Sequence, residues 1–255
     1  VKRANDQLIA TIEDSLRLLR AYYDLGARYM TLTHSNTNNW ADSSGDINNP
    51  AVKHHNGLTA FGREVIAEMN RLGMLVDVSH VSDKTFWDVL ETSRAPVFAS
   101  HSSCRALANM PRNLTDRMIA ALARKGGVVQ INFGCEFLSQ KSVNTSPWTN
   151  PELAAKARGN RKLAAELQAK MTRATLDDVV AHIDHVVRLA GVDAVGIGSD
   201  FDGVGCVPVG LEDYSKMPDL TRALLERGYS AADIGKIYGG NTLRLMRQVE
   251  HQAER

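Results

Sequence analysis

One pattern constrains this chain more than any other: an apolar run of strand length that stops at a histidine, followed by a helical segment, and then repeated. M-L-V-D-V-S-H ends at His80, P-V-F-A-S-H ends at His101, and the residues between them place Phe86 and Leu90 at helical spacing behind Ser82, a helix-capping residue. Two successive βα units with an imidazole at the same place in each describe a parallel α/β architecture. In such folds the carboxyl ends of the strands carry the chemistry.

The same grammar extends in both directions. Residues 27–34 read as a strand ending at His34, after a helix that carries Ile12, Leu16, Leu19 and Tyr23 and stops at Gly26. A polar loop to about Gly57 is long enough to cross the mouth of a barrel, and Phe61, Val65, Met69 and Leu72 form the next helical stripe. Thr115 and Asp116 open a further helix, G-V-V-Q-I-N-F is a strand ending near Asn132 and Phe133, and A-V-G-I-G-S-D is another ending at Asp200. Thr175 with Asp178, and Ser230 with Asp233, have capping-box spacing, and the last helical segments break at Gly239-Gly240. Residues 134–174 read as a polar insertion whose second half is a solvated helix. The count is five strands with their helices, which predicts an α/β fold of (β/α)8 barrel type represented by five βα units, in one domain over residues 1–255.

Composition narrows the function. Thirty basic residues against 29 acidic give a formal charge of +1, so no basic surface calls for nucleic acid. No apolar run reaches the roughly 20 residues of a membrane span, and the chain shows neither a signal core nor an anchor tail, so the expected location is cytoplasmic or periplasmic and no membrane partner is expected. Cys104, Cys135 and Cys206 are odd in number and far apart, which predicts neither a disulfide framework nor a cysteine metal site.

The candidate site follows from the strand ends. His80 and His101, about 4.8 Å apart if their strands are neighbours, suit one metal ion or two adjacent ones. Asp200, in G-I-G-S-D-F-D-G, suits a metal ligand or a general base. His34 can polarise a carbonyl, and Arg112 can receive a carboxylate through its planar fork. His182 and His185, mid-helix at i and i+3, read as surface or rim residues.

L-T-H-S-N-T-N-N-W-A-D-S, the block from G-L-T-A-F-G to V-D-V-S-H-V-S, P-V-F-A-S-H-S-S, P-R-N-L-T-D, V-V-Q-I-N-F and G-I-G-S-D-F-D-G resemble, in order, the membrane (renal-type) dipeptidase family of zinc peptidases, from about Ile12 to Val249. The resemblance implies a (β/α)8 barrel with two zinc ions and a dipeptide substrate. It implies that His80 and His101 ligate metal, that Asp200 handles protons, that His34 contacts the scissile carbonyl oxygen, and that Arg112 holds the substrate carboxylate. The family's H-x-D pair and bridging glutamate have no counterpart here. In the family's register Gln7 stands at the glutamate, so this chain is expected to supply ligands for about one zinc ion. A five-stranded portion is also expected to self-associate through its exposed sheet edges. The rival readings are a catalytically incomplete remnant and a barrel amidohydrolase acting on another small amide; a flavodoxin-like binding module ranks last, since no glycine-rich phosphate loop opens any helix.

Overall fold

The five apolar runs pair as one parallel sheet in a computed structural model that describes residues 12–253. Helix α1 (Leu16–Asp24) leads into β1 (Tyr29–Thr31), α2 (Ala60–Leu72) into β2 (Leu75–Asp77), and α3 (Asp83–Thr92) into β3 (Phe98–Ala99). Then α4 (Asp116–Arg124) precedes β4 (Val128–Ile131). The strands lie side by side in chain order, with β5 (Val195–Ile197) last, so each unit docks beside the one before it. This is the winding of a (β/α) barrel, of which the described residues form five consecutive units.

Local chemistry sets these boundaries. Thr59, Ser82 and Thr115 each accept a backbone N–H from the first turn of α2, α3 and α4. Gly73 ends α2 with a φ of 76°, and a Cβ there would lie 3.0 Å from that of Ala253.

Between β4 and β5 the expected insertion is four short helices, α5 (Cys135–Leu138), α6 (Gln140–Thr145), α7 (Pro151–Ala157) and α8 (Arg161–Ala169), and Ala164 is the one residue of α8 that is buried. The long helix α9 (Leu176–Ala190) follows, opened by a complete Thr175–Asp178 capping box. After β5 come α10 (Met217–Glu226), α11 (Ala231–Gly235), which opens on the Ser230–Asp233 capping box, and α12 (Asn241–His251). The backbone leaves helical geometry at Gly239, where the sequence predicts the break.

The sheet has two differently covered faces, because successive side chains alternate. Met30, Val76, Ala99, Val129 and Val195 face the helices and join Ile66, Met69, Phe86, Val89, Met118, Leu122 and Ile183 in the main core. The opposite, concave face is apolar only at its lower end, where Leu75, Phe98 and Val128 pack on Leu245 and Val249 of α12. Asn241 donates to the carbonyls of Val192 and Val195, and Thr242 accepts from Gln130, so α12 closes the floor of the concave face. Higher on that face stand Asp77, Ser100 and Gln130, all polar. β1 and β5 are the sheet edges, and on β1 Tyr29 is 53% exposed. No helix among the described residues is long and apolar enough to cross a membrane.

Two expectations are overturned. Cys135 and Cys206 form a disulfide across 71 residues of sequence, because the loops after β4 and β5 lie side by side at neighbouring strand ends; Cys104 is free and buried. Spacing along the chain carries no trace of that adjacency. His182 is fully buried: its Nδ1 accepts from the Cys104 backbone N–H at 2.9 Å and its Nε2–H donates to the Leu138 carbonyl at 2.9 Å. It is a core histidine with both nitrogens satisfied. His185, 2.8 Å from an Asp116 carboxylate oxygen, lies nearer the rim.

Burial holds the His182 imidazole down to a pKa of about 4. In the unfolded chain it titrates near 6.5, so between these values the unfolded state binds a proton that the folded state does not. Stability is therefore complete above about pH 6.5 and falls by roughly 3 kcal/mol as the pH drops to 4. His80 and His101, pushed down by burial as well, add to the same acid loss. Urea denaturation midpoints should therefore fall steeply across this range, and His182→Gln should make the slope shallower without abolishing it.

Candidate active site

The site begins with a carboxylate inside an apolar strand. Asp77 is fully buried, a costly placement unless its oxygens are bonded. Oδ1 accepts from the backbone N–H of Ser79 and of Ser100, each at 2.9 Å, while Oδ2 accepts from the Thr31 and Ser100 hydroxyls, each at 2.6 Å. The ends of β1, β2 and β3 are thereby tied to one group.

From that group the arrangement passes to the histidines. The Ser100 hydroxyl spends its proton on Asp77, so its oxygen accepts from His101 Nδ1 at 2.6 Å, and Nε2 of His101 is left with its lone pair. The His101 backbone N–H donates to Ser79 Oγ at 3.0 Å. His80 Nε2 faces His101 Nε2 at 2.8 Å. The ring of His34 stands 4.5 Å from that of His80, centroid to centroid, so the three imidazoles form a row across the strand ends.

His80 occupies the left-handed region, φ 69°, an uncommon conformation for a side chain with a Cβ. Its carbonyl accepts from the Ser44 N–H at 2.8 Å and the Ser44 hydroxyl at 2.9 Å, while the neighbouring Ser43 hydroxyl donates to the His34 carbonyl at 2.5 Å. Those serines belong to the long loop after β1. A buried Asp42 shapes that loop by accepting the N–H groups of His55 and Gly57, each at 2.8 Å. Loop and strand end are thus built together.

Arg112 donates to the His101 carbonyl at 3.0 Å and to Ser102 Oγ at 3.1 Å, and its guanidinium lies 5.4 Å from the centre of the Phe137 ring. Burial lowers its pKa to about 10, which still leaves it charged at neutral pH. It borders a cavity of about 380 Å³ walled by Ser44, Asp46, Asn48 and Met110. Asp200, also left-handed with φ 60°, accepts from Asn132 Nδ2 at 3.0 Å. Gly203 lies so close that a Cβ there would fall 1.9 Å from Asp200 Oδ1.

Burial first, and then the Arg112 charge, hold both His80 and His101 below the ordinary imidazole range. Neutral imidazoles with convergent Nε2 atoms, one of them oriented through its Nδ1–H, fit two positions around a zinc-type ion. Among the described residues no group of three or more His, Cys, Asp or Glu side chains could hold a metal, so this donor set is a pair. Gln7, the expected stand-in for the bridging glutamate, lies outside the described residues.

The structure brings His34, His80, His101 and Arg112 together at one end of the sheet, and sets Asp200, at the end of β5, against Asn132 at the end of β4. Asp77, Ser79 and Ser100 are not singled out by the sequence reading, which marks Asn132 as a strand end without giving it a role. The signal available for Asp77 is an aspartate in the middle of M-L-V-D-V, which only a full set of donors makes tolerable.

A parallel sheet wound in chain order, with polar side chains gathered where its strands end, defines a protein of the (β/α)-barrel class with its chemistry at the carboxyl end. More particularly, the chain belongs to the membrane dipeptidase family, peptidase family M19, whose model matches residues 9–255. An uncharacterized dipeptidase of Schizosaccharomyces pombe is 40% identical over 240 residues, which cover 94% of this chain and 50% of that protein. The probable dipeptidase PvdM from Pseudomonas aeruginosa superposes with a TM-score of 0.82 at 29% identity, over 95% of this chain and 67% of that one. A metallo peptidase from Rhodobacter sphaeroides, liganded with a phosphinate mimic of the dipeptide L-Ala-D-Ala, does so with a TM-score of 0.73 at 30% identity, over 92% of this chain and 60% of that one. The chain spans about half the length of the curated relatives it matches.

Replacing Asp77 by alanine would deprive four donors from three strand ends of their common acceptor. The expected loss is about 2–4 kcal/mol of stability, measured by equilibrium urea denaturation, and an effect below about 1 kcal/mol would show that Asp77 does not organise the strand ends.

Proposed function

We propose that this chain carries the substrate-binding and proton-transfer part of a zinc-dependent dipeptidase, acting on the single peptide bond of a dipeptide. The observation that supports it best is the pairing, at one end of the sheet, of two neutral imidazoles with a buried guanidinium anchored to the backbone of one of them. That combination suits a substrate with a carboxylate one residue beyond the bond to be cut.

In this reading Arg112 takes the C-terminal carboxylate of the dipeptide in a forked contact, which sets the substrate's length and register. His34, at the end of the imidazole row, donates to the scissile carbonyl oxygen as negative charge develops on it. His80 and His101 would hold the metal, with His101 oriented by Ser100 and Asp77. When bound, zinc supplies the Lewis acidity that makes attack by water feasible near neutral pH. Asp200 receives the proton from the attacking water and passes it to the leaving amine. The family's second zinc requires ligands beyond the pair described here.

A second reading, a member of the family that keeps the fold but does not hydrolyse, is favoured by the lack of a third ligand among the described residues. Metal content separates the two. Zinc retained at one or more ions per chain, measured by mass spectrometry after equilibration and removal of the excess, is expected for the enzyme, and none is expected for the second reading. Ser100→Ala should weaken zinc binding by about 10–100-fold, because His101 loses the partner that orients it. With L-Ala-D-Ala as substrate, Arg112→Ala should raise KM roughly 100-fold; an unchanged KM would remove the carboxylate assignment.

A further inference from the structure

Asn132 stands one residue beyond the regular part of β4 and is fully buried. Both ends of its side-chain amide are engaged. The Gly134 backbone N–H, 2.6 Å away, can only donate, so the atom it meets is Oδ1 and the other end of the amide is the NH2 group. That NH2 group lies 3.0 Å from Asp200 Oδ2. The orientation of the amide is therefore fixed by its neighbours, and Asn132 presents a donor to the carboxylate.

Asp200 needs such a hold. It sits in the left-handed region, on a turn in which the N–H groups of Gly203 and Val204 return to its own carbonyl. That turn leans on the segment after β4 at several points. Phe201 packs edge-on against Phe133 at 5.5 Å, the Phe133 N–H donates to the Ser199 carbonyl, and Cys206 is bonded to Cys135. These contacts place the backbone of the turn, whereas Asn132 reaches the carboxylate itself.

We infer that Asn132 is a positioning residue for Asp200, holding one carboxylate oxygen in a single orientation through a donor that cannot become an acceptor. The inference rests on the reading of Asp200 as the proton-transfer group. It makes the end of β4, which contributes no reacting group of its own, responsible for the aim of the group at the end of β5.

Three variants test it. Asn132→Asp keeps the shape and the oxygen that accepts from Gly134, but sets a carboxylate against Asp200. Asn132→Ala removes both contacts. Ser103→Ala removes only the 3.2 Å bond from Ser103 Oγ to the Asn132 carbonyl and serves as the control. With L-Ala-D-Ala, Asn132→Asp is expected to lower kcat by roughly 10–100-fold with KM within about twofold, and to move the acidic limb of the kcat profile to higher pH, as facing carboxylates require. Ser103→Ala should leave kcat and the profile in place. In a crystal structure of Asn132→Ala, the Asp200 carboxylate should leave its present orientation. The inference is overturned if kcat is unchanged, if kcat and thermal stability fall together with an unshifted pH profile, or if Asp200 stays in place in that crystal structure. Should the parent protein show no dipeptidase activity, the reading of Asp200 fails, and the crystal structure alone then decides whether Asn132 holds the carboxylate.

Discussion

The buried carboxylate of Asp77 is the interaction on which the site depends. An unpaired charge in the middle of a parallel sheet would cost several kcal/mol, and four donors converge on it from three strand ends. Once they do, Ser100 can serve Asp77 only as a donor, and its oxygen can serve His101 only as an acceptor. The tautomer of the imidazole follows without any further contact. A structural requirement, satisfying a buried charge, and a chemical one, a lone pair on a chosen nitrogen, are met by the same bonds.

Around this centre the chain spends conformational strain in two places. His80 and Asp200 both adopt left-handed backbone angles, and each is held by groups from another unit. Two donors of Ser44, in the loop after β1, fasten the His80 carbonyl, and the segment after β4 fastens the turn of Asp200. Strain of this kind persists only where the surroundings over-determine it. His80 and Asp200 are thus each positioned by the unit before as much as by their own strand, and neighbouring units are coupled around the sheet.

The two ends of the concave face have opposite characters. Leu75, Phe98 and Val128 close its floor with α12, while Asp77, Ser100 and Gln130 stand above. The apolar floor gives the sheet a second core, and the polar upper end leaves the functional groups facing the loops. The Cys135–Cys206 bond adds a covalent tie on that upper side, between the two loops that converge on Asp200.

Much of this was legible in the sequence. The alternation of apolar runs and helical stripes, with capping residues and glycines at their ends, determined five βα units, because burying a strand on both faces and a helix on one stripe leaves a distinct pattern in each. The strand-end positions of His34, His80, His101 and Asp200 were legible for the same reason. Tertiary structure alone decided what depends on adjacency between units. Asp77 looked like an interruption in a strand until donors from neighbouring strands surrounded it. His182 had the spacing of a surface residue until the Cys104 N–H and the Leu138 carbonyl closed on its two nitrogens. Cys135 and Cys206 were an unpaired set until neighbouring loops met. Periodicity records which face of an element is buried; it holds no record of which distant group a polar atom will find there, and the polar partners are what make the site.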